Sequence, residues 1–257
     1  MVFFVIILLM ETQRETKFKK PQKFGELYWL FGLVFVSFGV AICSKADLGV
    51  SMIAAPPFIL QEAIAPFWHG VTVGTMEYIF QGFLLIVLCL LVQRAKIKYL
   101  FSFVVAFLYG LLLDLWLLLL GREPFDAVWL RWVMLIVGDV VTALGVACFF
   151  RTYLPLQVYE LFVAEVADRY RFPVAKVKLV YDLSSLVVSI ILAFCINLDA
   201  ASFDWGKIYS TAYHFIGAGT VVTALINAPI IALFGKVIGR LTGEEPLFPK
   251  MKLFFKK

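Results

Sequence analysis

Six long apolar stretches alternate with short polar segments along the chain. They lie at about residues 28–44, 75–92, 100–120, 132–150, 179–197 and 211–235. A helix of about 20 apolar residues is long enough to cross the ~30 Å hydrocarbon core of a bilayer. Two further apolar segments, 50–66 and 156–168, are too short or too interrupted to span it, and the first contains the pair Pro56-Pro57. The pattern predicts an all-α, polytopic membrane helix bundle with six spans and two short re-entrant or interfacial helices.

The first and fourth stretches resemble each other and end in the same way. Residues 38–51 read FGVAICSKADLGVS, and residues 144–157, which lie 106 positions later, read LGVACFFRTYLPLQ. Each apolar run stops at a basic residue, Lys45 or Arg151, and a helix breaker follows it. Over the windows 28–50 and 134–156, six of 23 positions are identical: Gly32/Gly138, Val34/Val140, Gly39/Gly145, Val40/Val146, Ala41/Ala147 and Leu48/Leu154. We interpret the two windows as parts of an internal repeat.

The repeat predicts how the chain is divided. One membrane repeat covers residues 28–120 and the other covers 132–238, with an N-terminal tail at 1–27 and a basic, amphipathic C-terminal tail at 239–257. Because three spans per repeat is an odd number, the second repeat must enter the bilayer from the opposite side, which makes the repeats inverted. The apolar residues 1–9 are too short to span and lack the basic start of a signal peptide, so we expect them to be dispensable.

The distribution of basic residues predicts the orientation. With 62% hydrophobic residues, the chain is not a soluble domain. In the inverted arrangement, 19 of the 23 Lys and Arg residues lie on the side of the two termini, which the positive-inside rule assigns to the cytoplasm. We therefore expect a multi-pass protein of the bacterial cytoplasmic membrane with both termini inside. The net charge of +5 is explained by this bias and by attraction to anionic lipid headgroups, without any role for nucleic acid.

Two motifs resemble those of a known family. GVAICSKADLGVS at 39–51 and IGAGTVVTALINAPII at 216–231, together with the two-part plan over about 28–238, resemble the YitT/YczE-like bacterial integral membrane proteins. The resemblance implies a membrane protein with this repeat plan, and the absence of a soluble domain after the last span points to the YczE-like branch. Residues 51–55 read SMIAA, where the family pattern would have a tryptophan-aspartate pair.

Two aspartates lie inside predicted spans, where an ionised side chain costs about 2.5–3.5 kcal/mol on insertion scales. Asp114 lies in a leucine-rich span that offsets this cost, so a protonated or snorkelling carboxylate is one interpretation and a functional role is the other. Asp139 lies nearest the middle of its span and follows Gly138. It either handles substrate or protons, or makes a structural hydrogen bond between helices.

The remaining candidates are charged or amide side chains near the ends of spans. Lys45 and Arg151 either snorkel to the headgroups or, where the chain unwinds near Asp47 and Pro155, help to bind an anionic group beside a helix N-terminus. In the second span Glu77 and Gln81 correspond to Lys178 and Asp182 in the fifth. These four residues form either gates or plain structural pairs.

No motif of a known enzyme class is present, and neither the four cysteines nor the two histidines have metal-ligand spacing. We therefore expect no catalytic activity, no cofactor and no metal. The interpretation that best fits the repeat is a secondary transporter or exporter of a small, anionic or amphipathic solute. The alternative is a membrane accessory or scaffold protein of an envelope or biosynthetic pathway that does not transport.

Overall fold

The computed structural model describes residues 25–241 except 95, 122, 197, 200–201 and 204–214. Within these residues eight helices and one short ladder follow in the order α1 Gly25–Ala46, α2 Ala55–Ile64, α3 Val73–Val92, α4 Ile97–Leu120, α5 Val128–Phe149, α6 Val158–Tyr170, α7 Val174–Ile196, β1 Leu198–Asp199, β2 Ser202–Phe203 and α8 Ala218–Leu241. The two-residue strands pair antiparallel. Most of the predicted N-terminal tail, including residues 1–9, and most of the C-terminal tail lie outside the described residues.

Six helices in the described part of the chain are long and apolar enough to cross a membrane. They are α1, α3, α4, α5, most of α7 and most of α8, and they coincide with the six predicted spans. Large apolar side chains on their outer faces are exposed, such as Leu90 at 73% and Leu118 at 79%. Lipid tails would cover these faces, because exposure of so large an apolar surface to water is unfavourable. The prediction of an all-α, six-span bundle is confirmed.

The helix ends differ from the predicted ones where polar residues occupy the first or last turns. Helix α7 begins at Val174 rather than near 179, since Lys176 and Lys178 are good helix formers although they are not apolar. Helix α8 continues past residue 235 to Leu241, because Lys236 can extend toward the polar face without ending the helix. The predicted start of this span at 211–214 lies outside the described residues.

Two short helices, α2 and α6, complete the bundle. They have 10 and 13 residues, which corresponds to roughly 15 and 20 Å, so neither crosses a bilayer. The Pro56-Pro57 pair begins α2 rather than interrupting it, because the first turn of a helix needs no intrahelical N–H donors. Helix α6 runs alongside α3: Tyr159 near its start contacts Glu77, and Tyr170 at its end donates to the Leu91 carbonyl.

The closest helix pair is α1 with α5, and glycines bring their backbones together. A side chain at Gly39 or Gly138 would collide with the backbone carbonyl of the other residue, and Gly32 and Gly145 are related in the same way. Because residue 32 faces 145 while residue 39 faces 138, the two helices are antiparallel. The glycine identities seen in the sequence repeat are therefore the contact points of this crossing.

The other helix contacts occur in matching sets. Helix α1 packs on α4 as α5 packs on α8, helix α2 packs on α7 as α6 packs on α3, and α2 packs on α3 as α6 packs on α7. The packing of α3 on α4 has no comparably extensive counterpart between α7 and α8. Among the described residues, the helices of 25–120 and those of 128–241 thus make largely similar contacts, and they differ in how closely the third long helix is packed.

Candidate functional site

Two cavities lie just beyond the C-terminal ends of α1 and α5. The first, which we call the α1-end cavity, has a volume of about 270 Å³ and is lined by Ser44, Asp47, Val50, Glu62 and Phe215. The second, the α5-end cavity, measures about 360 Å³, and its lining includes Phe150, Tyr153, Leu156 and Asp168. Since α1 and α5 are antiparallel, the two cavities open at opposite ends of the bundle.

The two cavities are lined by corresponding positions of the sequence repeat. Adding the repeat offset of 106 to the first four residues of the α1-end cavity gives four residues of the α5-end cavity. The pairs are Ser44/Phe150, Asp47/Tyr153, Val50/Leu156 and Glu62/Asp168. The acidic pair and the aliphatic pair keep their chemistry, whereas Ser44/Phe150 and Asp47/Tyr153 do not, so the positions correspond while the linings differ in polarity.

The charges at the α1-end cavity are acidic. Glu62 is exposed, and Asp47 forms an ion pair with Arg131 at 3.1 Å. The chain leaves the helix here as expected: Asp47 has a φ of 52° and Gly49 a φ of 100°, a region in which glycine is tolerated best. The start of α8 holds the unwound segment, because Gly219 N–H donates to the Leu48 carbonyl at 2.7 Å.

The α5-end cavity contains both signs of charge. Lys96 binds Glu165 at 2.7 Å, Lys98 binds the same carboxylate, and the Tyr99 hydroxyl donates to it at 2.8 Å. Burial raises the pKa of Glu165, but the hydrogen bonds from the two lysines and the tyrosine outweigh it and hold that pKa below its ordinary value. With Asp168 also in the lining, this cavity has no excess of positive charge.

The two basic residues that end the repeated helices bind backbone carbonyls. Lys45 donates to the carbonyl of Leu120, the last residue of α4, and its ammonium lies 5.2 Å from the centre of the Phe125 ring. Arg151 donates to the Gly235 carbonyl in the last turns of α8 and packs against Gly239. Burial lowers the pKa of Arg151. Lys45 therefore lies where the C-terminus of α4 carries partial negative charge, whereas the acceptor of Arg151 lies six residues before the end of α8. Neither interpretation of the sequence anticipated these carbonyl partners.

Glu77 and Gln81 form a buried polar node on α3. Both side chains are fully buried. One oxygen of Glu77 accepts from Gln81 Nε2 at 3.3 Å and from the Tyr159 hydroxyl of α6 at 2.8 Å. On α7, Lys178 pairs with Asp182 one turn further along, with Nζ 3.2 Å from Oδ2. The two predicted pairs are thus separate, and each lies on its own helix.

Asp114 and Asp139 each have a partner on another element. Asp114 accepts from the Thr72 hydroxyl at 2.6 Å and from Gly74 N–H at 2.8 Å, so it caps the N-terminus of α3 instead of snorkelling. Asp139 is 2% exposed and accepts from the Asn227 side chain of α8 at 2.8 Å. That contact matches the interhelical hydrogen bond of the structural interpretation.

Some residues of the site were not predicted from the sequence. Tyr159, Gln157 and Glu165 all lie at or within α6, the short segment interpreted only as re-entrant or interfacial. The sequence did contain an indication of these residues, because segment 156–168 has several polar side chains. Inside a membrane, polar side chains are stable only where they contact protein instead of lipid. Their partners on α3 and α4 are distant in the chain, so the contacts themselves left no local pattern.

Comparison with known proteins adds a family. The chain is similar to the uncharacterized protein YyaS of Bacillus subtilis (strain 168), with 22% identity over 218 residues, which is 83% of this chain and 94% of that protein. No solved structure matches it. Neither match bears specifically on the YitT/YczE resemblance, which stays a prediction. The model of a family of unknown function, DUF6198, matches residues 24–236. The chain therefore belongs to the DUF6198 family.

Proposed function

We propose that this protein is a secondary transporter that exposes a solute site alternately to the two sides of a bacterial cytoplasmic membrane. The single observation that carries the proposal is the pair of cavities lined by corresponding repeat positions at opposite ends of the bundle. In transporters built from inverted repeats, each half takes the conformation of the other when access switches. The α1-end and α5-end cavities, which are lined by corresponding repeat positions on opposite faces, support such an exchange.

The inverted repeat has support from the packing. The contact of Gly39 with Gly138 becomes that of Gly145 with Gly32 when the two halves are exchanged. The matching sets of helix contacts follow the same exchange. A pseudo-twofold axis in the membrane plane, passing through the crossing of α1 and α5, accounts for both observations.

The distribution of basic residues assigns a side to each cavity. The α5-end cavity is lined by Lys96 and Lys98 and lies among basic segments, so we assign it to the cytoplasm. The α1-end cavity then opens outside. With this orientation both termini are cytoplasmic, and the basic tails lie next to anionic headgroups.

The charges of the cavities favour a solute without net negative charge. The expectation of an anionic solute depended on Lys45 and Arg151, and both side chains are bound to helix carbonyls. The described lining of the outer cavity contains Asp47, which Arg131 neutralises, and Glu62, and it contains no basic side chain. Together with the aromatic and aliphatic residues of both linings, this favours a small amphipathic solute that is neutral, zwitterionic or cationic.

Sided labelling of single cysteines tests the proposal. In a background without Cys43, Cys89, Cys148 and Cys195, the matched variants Ser44→Cys and Phe150→Cys would be treated with a membrane-impermeant thiol reagent on intact cells and on inverted vesicles. We expect residue 44 to react from outside and residue 150 from inside. Ala41→Cys, at a fully buried position of the α1–α5 crossing, should react from neither side.

A bulky reagent gives the second half of the test. If access alternates, a bulky group fixed at position 44 should slow the reaction at position 150 in the double variant, because widening one cavity narrows the other. Labelling of both positions from one side would refute the topology, and independent reaction of the two would refute alternation. Independent reaction is also what the accessory-protein alternative predicts.

A further inference from the structure

Glu77 is a buried carboxylate without a cation. Glu77 lies on α3, and its side chain is fully buried. None of the basic side chains in the described part of the chain forms an ion pair with it. Its Oε2 accepts hydrogen bonds from two neutral donors, Gln81 and Tyr159. Its Oε1 is buried without a hydrogen-bond partner, and so is Oε1 of Gln81.

The surroundings of Glu77 oppose a negative charge there. The charged groups that act on it from neighbouring elements are two further carboxylates, Asp114 of α4 and Glu160 of α6. Two tyrosines on neighbouring helices, Tyr109 and Tyr181, also face it, while the exposed Glu62 lies on α2. A buried charge that is neither paired nor fully hydrogen-bonded is expensive, so a group of this kind takes up a neutralising partner.

The corresponding site in the other half shows what is missing. Counted from the first residue of each helix, Glu77 and Gln81 of α3 occupy the same positions as Lys178 and Asp182 of α7, which neutralise each other. Lys178 acts electrostatically on Asp139 and Glu160, and it is not among the groups that act on Glu77. The second half therefore carries its own counter-charge, and the first half must obtain one from outside the protein.

The unpartnered Oε1 of Glu77 is better suited to bind a proton than a metal ion. Metal ions are bound by several lone pairs that converge on one point, whereas the Tyr159 hydroxyl and the Gln81 amide point N–H or O–H donors at the carboxylate. The described residues also contain no group of three His, Cys, Asp or Glu side chains that could hold a metal. Glu77 Oε1 and Gln81 Oε1 are both acceptors without a hydrogen-bond partner, and a proton on Glu77 would supply one O–H donor.

We propose that Glu77 takes up and releases the coupling proton of this protein, with the proton carried on the oxygen that has no partner. The step forms and breaks one O–H bond, and the proton is exchanged with water through whichever cavity is open. The inference rests on the proposed transport function. The inference extends that function by naming the coupling ion and the residue that binds this ion.

The Tyr159 hydrogen bond connects the proton to the inner cavity. When Glu77 is ionised this bond is charge-assisted and holds the start of α6 on α3; protonation makes it an ordinary, weaker bond. Helix α6 contributes Leu161, Ala164, Glu165 and Asp168 to the wall of the α5-end cavity. Proton uptake at Glu77 therefore loosens a wall of the cytoplasmic cavity.

Infrared spectroscopy of the purified full chain in lipid nanodiscs tests the protonation directly. We expect a protonated-carboxyl band at neutral pH in the wild type, and we expect Glu77→Gln to remove one component of it. Glu62→Gln, an exposed carboxylate on the adjacent short helix, should leave the band unchanged. Tyr159→Phe should keep the band, because the proton is carried on the oxygen that Tyr159 does not contact. An identical band in wild type and Glu77→Gln would overturn the proposal.

Sided labelling under a pH gradient tests the coupling and separates it from the transport function. Acidifying one side should change the relative reactivity of cysteines at 44 and 150 in the parent protein and leave it unchanged in Glu77→Gln. Sided and mutually exclusive labelling that does not respond to pH in the parent would overturn the coupling proposal and leave transport standing. Labelling that is not sided would instead refute the transport proposal, and the infrared result would still decide the protonation of Glu77.

Discussion

Replacement of Gly138 by alanine at the crossing of α1 and α5 should separate the two central helices. A Cβ at this position would lie 2.8 Å from the Gly39 carbonyl oxygen and 2.7 Å from Cys43 Sγ, whereas ordinary contact begins at 3.4 Å. The obstacle is partly backbone, which cannot rotate away as a side chain can. The helices must therefore move apart by roughly 0.6 Å at the crossing.

The expected loss of stability comes from overpacking, and a matched control variant separates it from the change in helix propensity. Inserting a methyl group into a packed interior costs about 1–3 kcal/mol, while replacing glycine by alanine within a helix returns up to about 1 kcal/mol. At Gly235 in α8 an added Cβ would have no atom within 4 Å. Gly235→Ala should therefore show only the stabilisation that comes from the higher helix propensity of alanine. The difference in unfolding free energy between the two variants should therefore be about 1–3 kcal/mol, with Gly138→Ala the less stable.

Unfolding by SDS in mixed micelles, followed by tryptophan fluorescence, measures this difference. Both variants should first elute as the wild type does in size-exclusion chromatography, so that the comparison concerns folded protein. Equal stability of Gly138→Ala and Gly235→Ala would mean that the backbones are not in contact at Gly138. The assignment of the repeated glycines to a close crossing would then be wrong.

Three further predictions concern the charged residues. Lys45→Gln and Arg151→Gln should each lower the unfolding free energy by about 1.5–3 kcal/mol in the SDS assay through the lost hydrogen bond from a charged donor to a backbone carbonyl, with solute affinity unchanged in uptake assays; a large loss of affinity without instability would restore a role in binding. Asp114→Asn should lower the unfolding free energy by about 0.5–2 kcal/mol as a weakened cap of α3, whereas Glu62→Gln, the exposed control, should change it little. Glu165 has a lowered pKa, so its ion pairs stabilise the protein above its ordinary pKa and are lost as pH falls through the folded value. Glu165→Gln should therefore be less stable than wild type at neutral pH, and thermal unfolding at decreasing pH should show the gap closing; a gap independent of pH would contradict the ion-pair origin.

The sequence allowed the membrane helices to be predicted because each span leaves a local pattern. A run of apolar residues long enough for the hydrocarbon core is visible without any knowledge of tertiary contacts. The two short helices were also visible, as segments too short or too broken to span. Helix ends were less accurate, as at Lys176 and Lys236, because hydropathy does not distinguish a helical lysine from a loop lysine.

The partners of the charged residues could not be predicted because they depend on tertiary packing. Asp114 binds Thr72 at a separation of 42 residues, and Glu77 binds Tyr159 at a separation of 82 residues. The sequence showed that a carboxylate was present and roughly how much free energy its burial would cost. It did not show which donor would form a hydrogen bond with that carboxylate. The same limit explains Lys45, whose acceptor is a backbone carbonyl and therefore has no residue type to identify it.

Helix α8 shows how the repeated basic residue and the unwound segment act together. At its start, the Thr220 hydroxyl donates to the Val50 carbonyl at 2.6 Å, next to the α1-end cavity. Near its end, the Gly235 carbonyl accepts from Arg151, which immediately follows the Phe150 wall of the α5-end cavity. Along its length α8 packs mainly on α5 and has no extensive contact with α7. Helix α8 is thus bound near both cavities, to Val50 at its start and to Arg151 near its end, and packs on α5 between them, so it links the two cavities.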